Sequence, residues 1–159
     1  MGMYKTIRIS YTVDEGLDTM EIEDLRDEMQ EWVDNMSGTS LENTSRYEMA
    51  EEAASQLDRV DDVCFDAIWD AIPENFESTE EELKALAFVY SIYVSKDKRK
   101  GPGRAYRLSN AINHITGALQ TLRDYLEEKE EAEDILAAID EVESQVQELE
   151  DVVFPGMFG

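Results

Sequence analysis

The strongest constraint on the fold is the spacing of apolar residues in the last third of the chain. Two series recur at intervals of 4, 3, 4, 3 and 4 residues. The first comprises Leu108, Ile112, Ile115, Leu119, Leu122 and Leu126, and the second comprises Ile135, Ile139, Val142, Val146, Leu149 and Val153. This spacing places each series along one face of an α-helix, as in coiled coils. Residues 105–153 are therefore predicted to form packed helices.

The two C-terminal series are out of phase with each other. Ile135 comes nine positions after Leu126, whereas a step of three or four positions would continue the repeat. Either a turn near residues 128–132 joins two helices, or one long helix contains a register shift. The absence of Gly and Pro between residues 118 and 154 favours one helix, whereas the compactness of a short chain favours a hairpin. We prefer the hairpin and leave the long helix open.

The N-terminal segment has a different periodicity. Residues 4–13 alternate, with Ile7, Ile9, Tyr11 and Val13 on one side, which predicts a β-strand. No second alternating run of comparable quality follows, and an isolated strand leaves its backbone groups unpaired. We therefore expect it to pair with a second copy of the chain, with residues 152–154, or with the sheet edge of a partner protein.

Residues 18–73 are predicted to form a helical hairpin. Asp18 and Glu21 have capping-box spacing, and an apolar series at helical intervals follows them. The segment 37–40, Ser-Gly-Thr-Ser, interrupts this helix. Ser45 and Glu48 then form a second capping box, which opens a helix that we expect to continue to Pro73.

Residues 78–95 are predicted to form a buried helix at the centre of the fold. Ser78 and Glu81 have capping-box spacing, and the apolar residues that follow would cover almost the whole circumference of a helix. Together these segments predict one mainly α domain over residues 1–159, with helical hairpins or a bundle, coiled-coil-grade C-terminal helices and one N-terminal strand.

Charge restricts the classes of partner. The chain has 38 acidic and 14 basic residues, a net charge of −24. Direct binding to nucleic acid or to an anionic membrane is disfavoured by repulsion, so we expect a protein partner with a basic surface. We find no run of 18 apolar residues, no signal-peptide pattern and one cysteine, and we therefore expect a cytoplasmic protein.

Residues 96–107 are the exception to the acidic character of the chain. Six basic side chains surround a Gly-Pro-Gly segment, and only Asp97 is acidic. This basic loop either contacts a partner or folds back onto the acidic helices of the same chain. Its candidate contact residues are Lys98, Arg99, Lys100 and Arg104.

Little in the sequence indicates catalysis, and we expect neither enzymatic activity nor a cofactor. His114 is the only histidine and is far in sequence from Cys64, the only cysteine, so these two residues make a poor nucleophile and base pair. Zinc and haem sites lack ligands, and no calcium-loop pattern is present.

One acidic pattern suggests an enzymatic alternative. Glu127-Glu128-x-x-Glu131 is followed by Glu148-x-x-Asp151, and this spacing resembles that of all-α nucleotide pyrophosphatases of the MazG type. The resemblance covers five residues. It implies that Glu128, Glu131, Glu148 and Asp151 would converge on Mg²⁺.

The acidic residues themselves are the leading candidates for a functional surface. Two rows stand out, and we expect them to lie on adjacent helices. The first comprises Glu23, Asp27, Glu31 and Asp34, and the second comprises Glu127, Glu128, Glu130, Glu131, Glu133 and Asp134. Residues 127–151 carry twelve carboxylates, and as one straight helix they would match the charge density of a DNA strand, at about 1.5 Å per residue and about 3.4 Å per phosphate.

Two segments and the overall composition carry a resemblance. Residues 32–36, Trp-Val-Asp-Asn-Met, and residues 45–53, Ser-Arg-Tyr-Glu-Met-Ala-Glu-Glu-Ala, are similar to a stretch found in phage proteins. The acidic composition and helical architecture resemble those of phage-encoded DNA-mimic inhibitors, the Ocr-like anti-restriction and acidic anti-CRISPR proteins. The resemblance implies a non-enzymatic inhibitor of a defence complex in the infected host cell. The alternative is an oligomerising adaptor, a homodimer or larger, assembled through the heptad series.

Overall fold

The computed structural model describes residues 4–40, 44–95 and 103–155, and it is mainly α-helical with one two-stranded sheet. In chain order the elements are β1 (Tyr4–Thr12), α1 (Val13–Gly16), α2 (Met20–Met36), α3 (Ser45–Leu57), a 3₁₀ helix (Asp58–Asp62), α4 (Asp66–Asp70), α5 (Glu80–Lys84), β2 (Ala87–Ser95), α6 (Arg104–Leu126) and α7 (Glu133–Gln147). None of the described helices has the length and apolar content needed to cross a lipid bilayer.

The C-terminal series form a hairpin, so the long-helix alternative is wrong. Helix α6 ends at Leu126, and α7 begins at Glu133. In the intervening turn Glu131 has a positive φ of 62°, which reverses the chain without a glycine. The series is buried as far as Leu149, but Val153 is exposed and Val152 and Phe154 are buried instead. The phase changes there because α7 ends at Gln147.

The predicted helix over residues 78–95 is wrong. Only Glu80–Lys84 is helical, and Ala87–Ser95 is a strand paired antiparallel with β1, from Thr12 opposite Ala87 to Tyr4 opposite Ser95. A short apolar run rich in β-branched and aromatic residues is compatible with a strand as well as with a helix. Pairing with β1 satisfies the backbone groups of both strands, so none of the three expected partners of β1 is the one observed.

The second helix of the 18–73 hairpin is shorter than predicted. Helix α3 packs against α2 but ends at Leu57, and the 3₁₀ helix and α4 follow it. Val60 and Ile68 are nevertheless buried, which explains why the apolar spacing resembled that of one continuous helix. The observed N-cap residue of α3 is Thr44, one position before the predicted Ser45, and that of α5 is Thr79, one position after the predicted Ser78.

Helix α6, rather than residues 78–95, is the central element. It contacts α1, α2, α7 and β2. Its apolar face includes Ile115, Leu119, Leu122 and Leu126, which are fully buried. Close packing is clearest at Gly16, where a Cβ atom would lie 2.7 Å from Cβ of Ala118. Burial of one face of α6 by four elements joins the N-terminal and C-terminal halves into one core.

Candidate partner-binding surface

The first acidic row lies along α2 and is termed the α2 row: Glu23, Asp27, Glu31 and Asp34. The helix buries Ile22, Leu25, Met29, Val33 and Met36, so these spacings leave the acidic residues on its outer side. Asp27, Glu31 and Asp34 are exposed. Glu23 is half-buried and accepts a hydrogen bond from Oγ1 of Thr19 at 3.0 Å.

The second acidic row is concentrated at one turn and is termed the turn group: Glu127, Glu128, Glu130, Glu131, Glu133 and Asp134. All six are exposed. Glu133 and Asp134 lie in the first turn of α7, where carboxylates interact favourably with the helix dipole. Lys129 is the only basic residue in the segment 127–134. Its ammonium pairs with Glu77 at 3.5 Å and lies over the ring of Tyr125.

The α2 row and the turn group do not adjoin, contrary to expectation. Helix α2 is attached to the first turn of α6, where Arg107 pairs with Glu21 and Glu28. The turn group follows the last residue of α6. Helix α6 has 23 residues, a length of about 34 Å at 1.5 Å per residue. The two groups therefore lie toward opposite ends of the central helix.

A third acidic group, which was not predicted from the sequence, lies in the 3₁₀ helix: Asp58, Asp61 and Asp62. All three are exposed. Arg26 of α2 contacts two of them, with its Nη1 2.9 Å from Asp61 and its Nε 3.7 Å from Asp58. The 3₁₀ helix also contacts α7. The sequence signal was the cluster of three aspartates in five residues, which the expectation of one continuous helix hid.

Most basic side chains of the described helices are used inside the molecule. The Arg107 guanidinium forms two hydrogen bonds with Glu28 and one with Glu21. These contacts raise the pKa of Arg107, and the hydrogen bond from Arg107 lowers the pKa of Glu28. At the hairpin, Arg123 donates to Asp140 and Glu143, both at 2.8 Å. These cations hold helices together. In the α2 row Asp27 also pairs with Arg26 at 3.3 Å, whereas none of the described ion pairs includes the other carboxylates of the α2 row or those of the turn group.

The candidate basic contact loop is described only at its end. Lys98, Arg99 and Lys100 lie outside the described residues. Arg104 belongs to the first turn of α6, where its Nε lies 3.4 Å from Glu28 and its guanidinium lies over the ring of Trp32 at 5.4 Å. The loop was expected either to contact a partner or to fold back onto the acidic helices of the same chain. The contacts of Arg104 agree with the second alternative.

The carboxylates of the pyrophosphatase-like pattern do not converge. Glu128 and Glu131 precede α7, whereas Glu148 and Asp151 follow it. The 15 residues of α7 span about 22 Å, so the two pairs lie at opposite ends of that helix. In the part of the chain that the structure describes, no group of three or more carboxylate, histidine or cysteine side chains is arranged to hold a metal ion.

Cys64 and His114 contact different parts of the molecule. Cys64 is exposed in the linker before α4, and its backbone N–H donates to Oε1 of Gln145. His114 is half-buried and its ring packs edge-on against Tyr11, with centroids 4.2 Å apart. Burial lowers the pKa of His114.

Comparisons of the chain with known proteins found no matching family model, no matching curated protein and no matching solved structure.

Proposed function

We propose that this protein is a phage-type inhibitor that acts as an acidic DNA mimic and occupies the basic nucleic-acid-binding cleft of a host defence complex, such as a restriction nuclease or a CRISPR effector. The observation that supports this most is the exposure of the turn group and of three of the four α2-row carboxylates, while neighbouring arginines are engaged in internal ion pairs. The chain as a whole carries a net charge of −24.

The spacing of the carboxylates is compatible with this role. The α2 row places four carboxylates over about 16 Å of helix, a length over which one DNA strand carries about five phosphates. Helix α6, which separates the α2 row from the turn group, has a length close to one turn of B-DNA, about 34–36 Å. A cleft that holds duplex DNA could therefore contact both groups at once.

Such a complex would form mainly through long-range electrostatic attraction. Opposite charges on two surfaces accelerate association, and dissolved salt weakens the attraction by screening it. The first test is recovery of the tagged protein's partners from a lysate with host defence systems, washed at low and at high salt. The proposal requires a nucleic-acid-binding complex that salt elutes and that DNA displaces. A salt-resistant partner without a nucleic-acid site would contradict it.

Charge reversal then tests which carboxylates bind the recovered complex. Three variants carry three acid-to-lysine substitutions each: one at Asp27, Glu31 and Asp34, one at Glu128, Glu130 and Glu133, and a control at Glu48, Glu51 and Glu52 of α3. All nine residues are exposed, and the change in net charge is the same in each variant. We expect at least a tenfold loss of affinity for the first two, in equilibrium titrations at fixed salt, and a much smaller loss for the control. Equal losses in all three would show that net charge, not the two groups, determines binding.

The alternative of an adaptor assembled through its heptad series has less support. Leu119 and Val146 are both fully buried within a single chain, as are most residues of the two series. The α6–α7 hairpin therefore satisfies these series without a second chain. An adaptor would need a different contact surface.

A further inference from the structure

The register of the two-stranded sheet shows which residues direct their backbone N–H and C=O groups toward its open edges. The backbone N–H of Val13 donates to the carbonyl oxygen of Leu86 at 2.8 Å, which extends the β1–β2 register by one hydrogen-bonded pair. Hydrogen-bonded and non-hydrogen-bonded pairs alternate in an antiparallel ladder. The backbone groups that point away from β1 therefore belong to alternate residues of β2: Ala87, Val89, Ser91, Tyr93 and Ser95.

The outer edge of β1 follows the same alternation. Thr12, opposite Ala87, should direct its N–H away from β2, and this N–H donates to Oε1 of Glu15 at 2.9 Å instead of crossing the ladder. Ser10, opposite Val89, should likewise direct its N–H to the outer edge of β1. Ser10 of β1 and Ser91 of β2 therefore both direct their backbone N–H groups away from the other strand, and equivalent substitutions can be made on the two edges.

The outward edge of β2 has no strand beside it in the described part of the chain. The sheet contains β1 and β2 alone, and no backbone hydrogen bond of the described loops and turns reaches that edge. An open edge of nine residues is a template for pairing with another strand.

The two edges differ in how well they are protected against pairing. Charged residues on an edge strand disfavour edge-to-edge association. β1 contains Lys5 and Arg8, whereas β2, Ala-Phe-Val-Tyr-Ser-Ile-Tyr-Val-Ser, contains no charged residue. The edge of β2 is therefore the one suited to pairing, and Val89 on this strand is 55% exposed.

The distribution of charge indicates which partner fits this edge. Two chains with a net charge of −24 repel each other over most of their surfaces. Neither strand contains a carboxylate, although the chain has 38. Contact through the ribbon therefore brings together strands that carry no negative charge, and the uncharged β2 strand meets an identical uncharged strand.

We propose that β2 pairs antiparallel with β2 of a second copy, which gives a four-stranded sheet in the order β1-β2-β2-β1. A register centred on Ser91 places Val89 of one chain opposite Tyr93 of the other. This register satisfies the outward N–H and C=O groups of the strand on both chains, and the contact is isologous. It does not depend on the acidic surface or on the proposed inhibition.

Proline substitution tests the edge directly. Ser91→Pro removes an N–H that the β1–β2 ladder does not use and places the proline ring against the incoming strand. Ser10→Pro makes the same change at the outward edge of β1. Sedimentation equilibrium over a range of concentrations at high salt measures the oligomeric state, and circular dichroism measures helix content. We expect a dimer for the wild type and for Ser10→Pro, and at least tenfold weaker association for Ser91→Pro.

A second pair of variants covers the case in which proline unfolds the ribbon. Val89→Lys and Ser10→Lys place a charge on exposed side chains of paired residues, the first on β2 and the second on β1. We expect only Val89→Lys to weaken the dimer. A monomeric wild type at every concentration and salt, or equal association in both members of a folded pair, would overturn the proposal. The direction of the salt effect separates it from the proposed function, because screening should strengthen this dimer and weaken a complex with a basic target.

Discussion

Glu131 has the backbone conformation that most clearly predicts the effect of a substitution. Its φ of 62° lies in the left-handed region, which costs a residue with a side chain about 1–2 kcal/mol relative to glycine. Glu131→Gly also removes one negative charge from the turn group. We therefore expect the free energy of unfolding, measured by urea titration, to rise by about 0.5–1 kcal/mol.

The neighbouring residue provides the control for this prediction. Glu130 is also exposed and lies in the same turn, but the positive φ belongs to Glu131. Glu130→Gly removes the same charge but relieves no backbone strain. The greater conformational entropy of glycine in the unfolded chain should therefore make this variant less stable than Glu131→Gly. If the two substitutions changed stability equally, backbone strain at Glu131 would not explain the gain.

At the scale of the elements, the junction between α2 and α6 depends on ionisation of Glu28. The pKa of Glu28 lies below its ordinary value of 4.5, chiefly because Arg107 donates hydrogen bonds to it. A folded-state pKa below the unfolded one contributes stability that is present above about pH 4.5 and is lost as the pH falls through the lower, folded value. The difference in free energy of unfolding between the wild type and Glu28→Gln should be constant near neutral pH and should shrink below about pH 4.5.

Urea titrations between pH 3 and pH 7 measure this difference. Glu31→Gln is the matched control, since it removes a carboxylate from the same helix and none of the described ion pairs includes Glu31. The difference should be modest, because the Glu28 side chain is 36% exposed and solvent screens the pair. If the difference in stability between the wild type and Glu28→Gln did not change with pH, a stabilising role for the Glu28–Arg107 pair would be excluded.

At the scale of the whole molecule, repulsion between its negative charges is expected to lower the stability of the folded state. A net charge of −24 on 159 residues opposes the compact state, and salt relieves that repulsion by screening. The thermal midpoint Tm should therefore rise between about 20 mM and 500 mM NaCl, although screening also weakens the internal ion pairs of Arg26, Arg107 and Arg123. The Glu48, Glu51 and Glu52 charge-reversal variant is less negative and should show a smaller rise. A Tm that fell with salt would mean that internal ion pairs outweigh repulsion.

The helices that the sequence predicted well are those with a long, narrow apolar series. α2, α6 and α7 each repeat apolar residues at helical spacing over several turns, and that period is a local property of the chain. Residues 78–95 were predicted wrongly because nine apolar and small residues without a clear period fit either state. The presence of β1 then selected the strand, through pairs such as Ile7 with Ile92.

The acidic surface was predictable only as a list of residues. The positions of Glu31, Asp34 and the turn group on outer faces follow from which residues of α2 and α7 are apolar. Their separation does not follow from the sequence, because it depends on Arg107 joining α6 to Glu21 and Glu28, over more than 75 residues of chain. The 3₁₀ aspartates were missed because their segment was predicted as part of one continuous helix, and their position depends on contacts with Arg26 and α7.

The sequence by itself determined the charge, the amphipathic helices and the phase shift between the α6 and α7 series, because each depends on residues a few positions apart. It left open whether a turn or a register shift lies between the two series. Tertiary structure decided the pairing of β1 with β2, the central place of α6 and the location of the acidic groups at its opposite ends. These features depend on contacts between residues such as Tyr11 and Phe88 or Gly16 and Ala118, which are distant in the chain. Such contacts are selected by burial and backbone pairing across the whole molecule, and no local period encodes them.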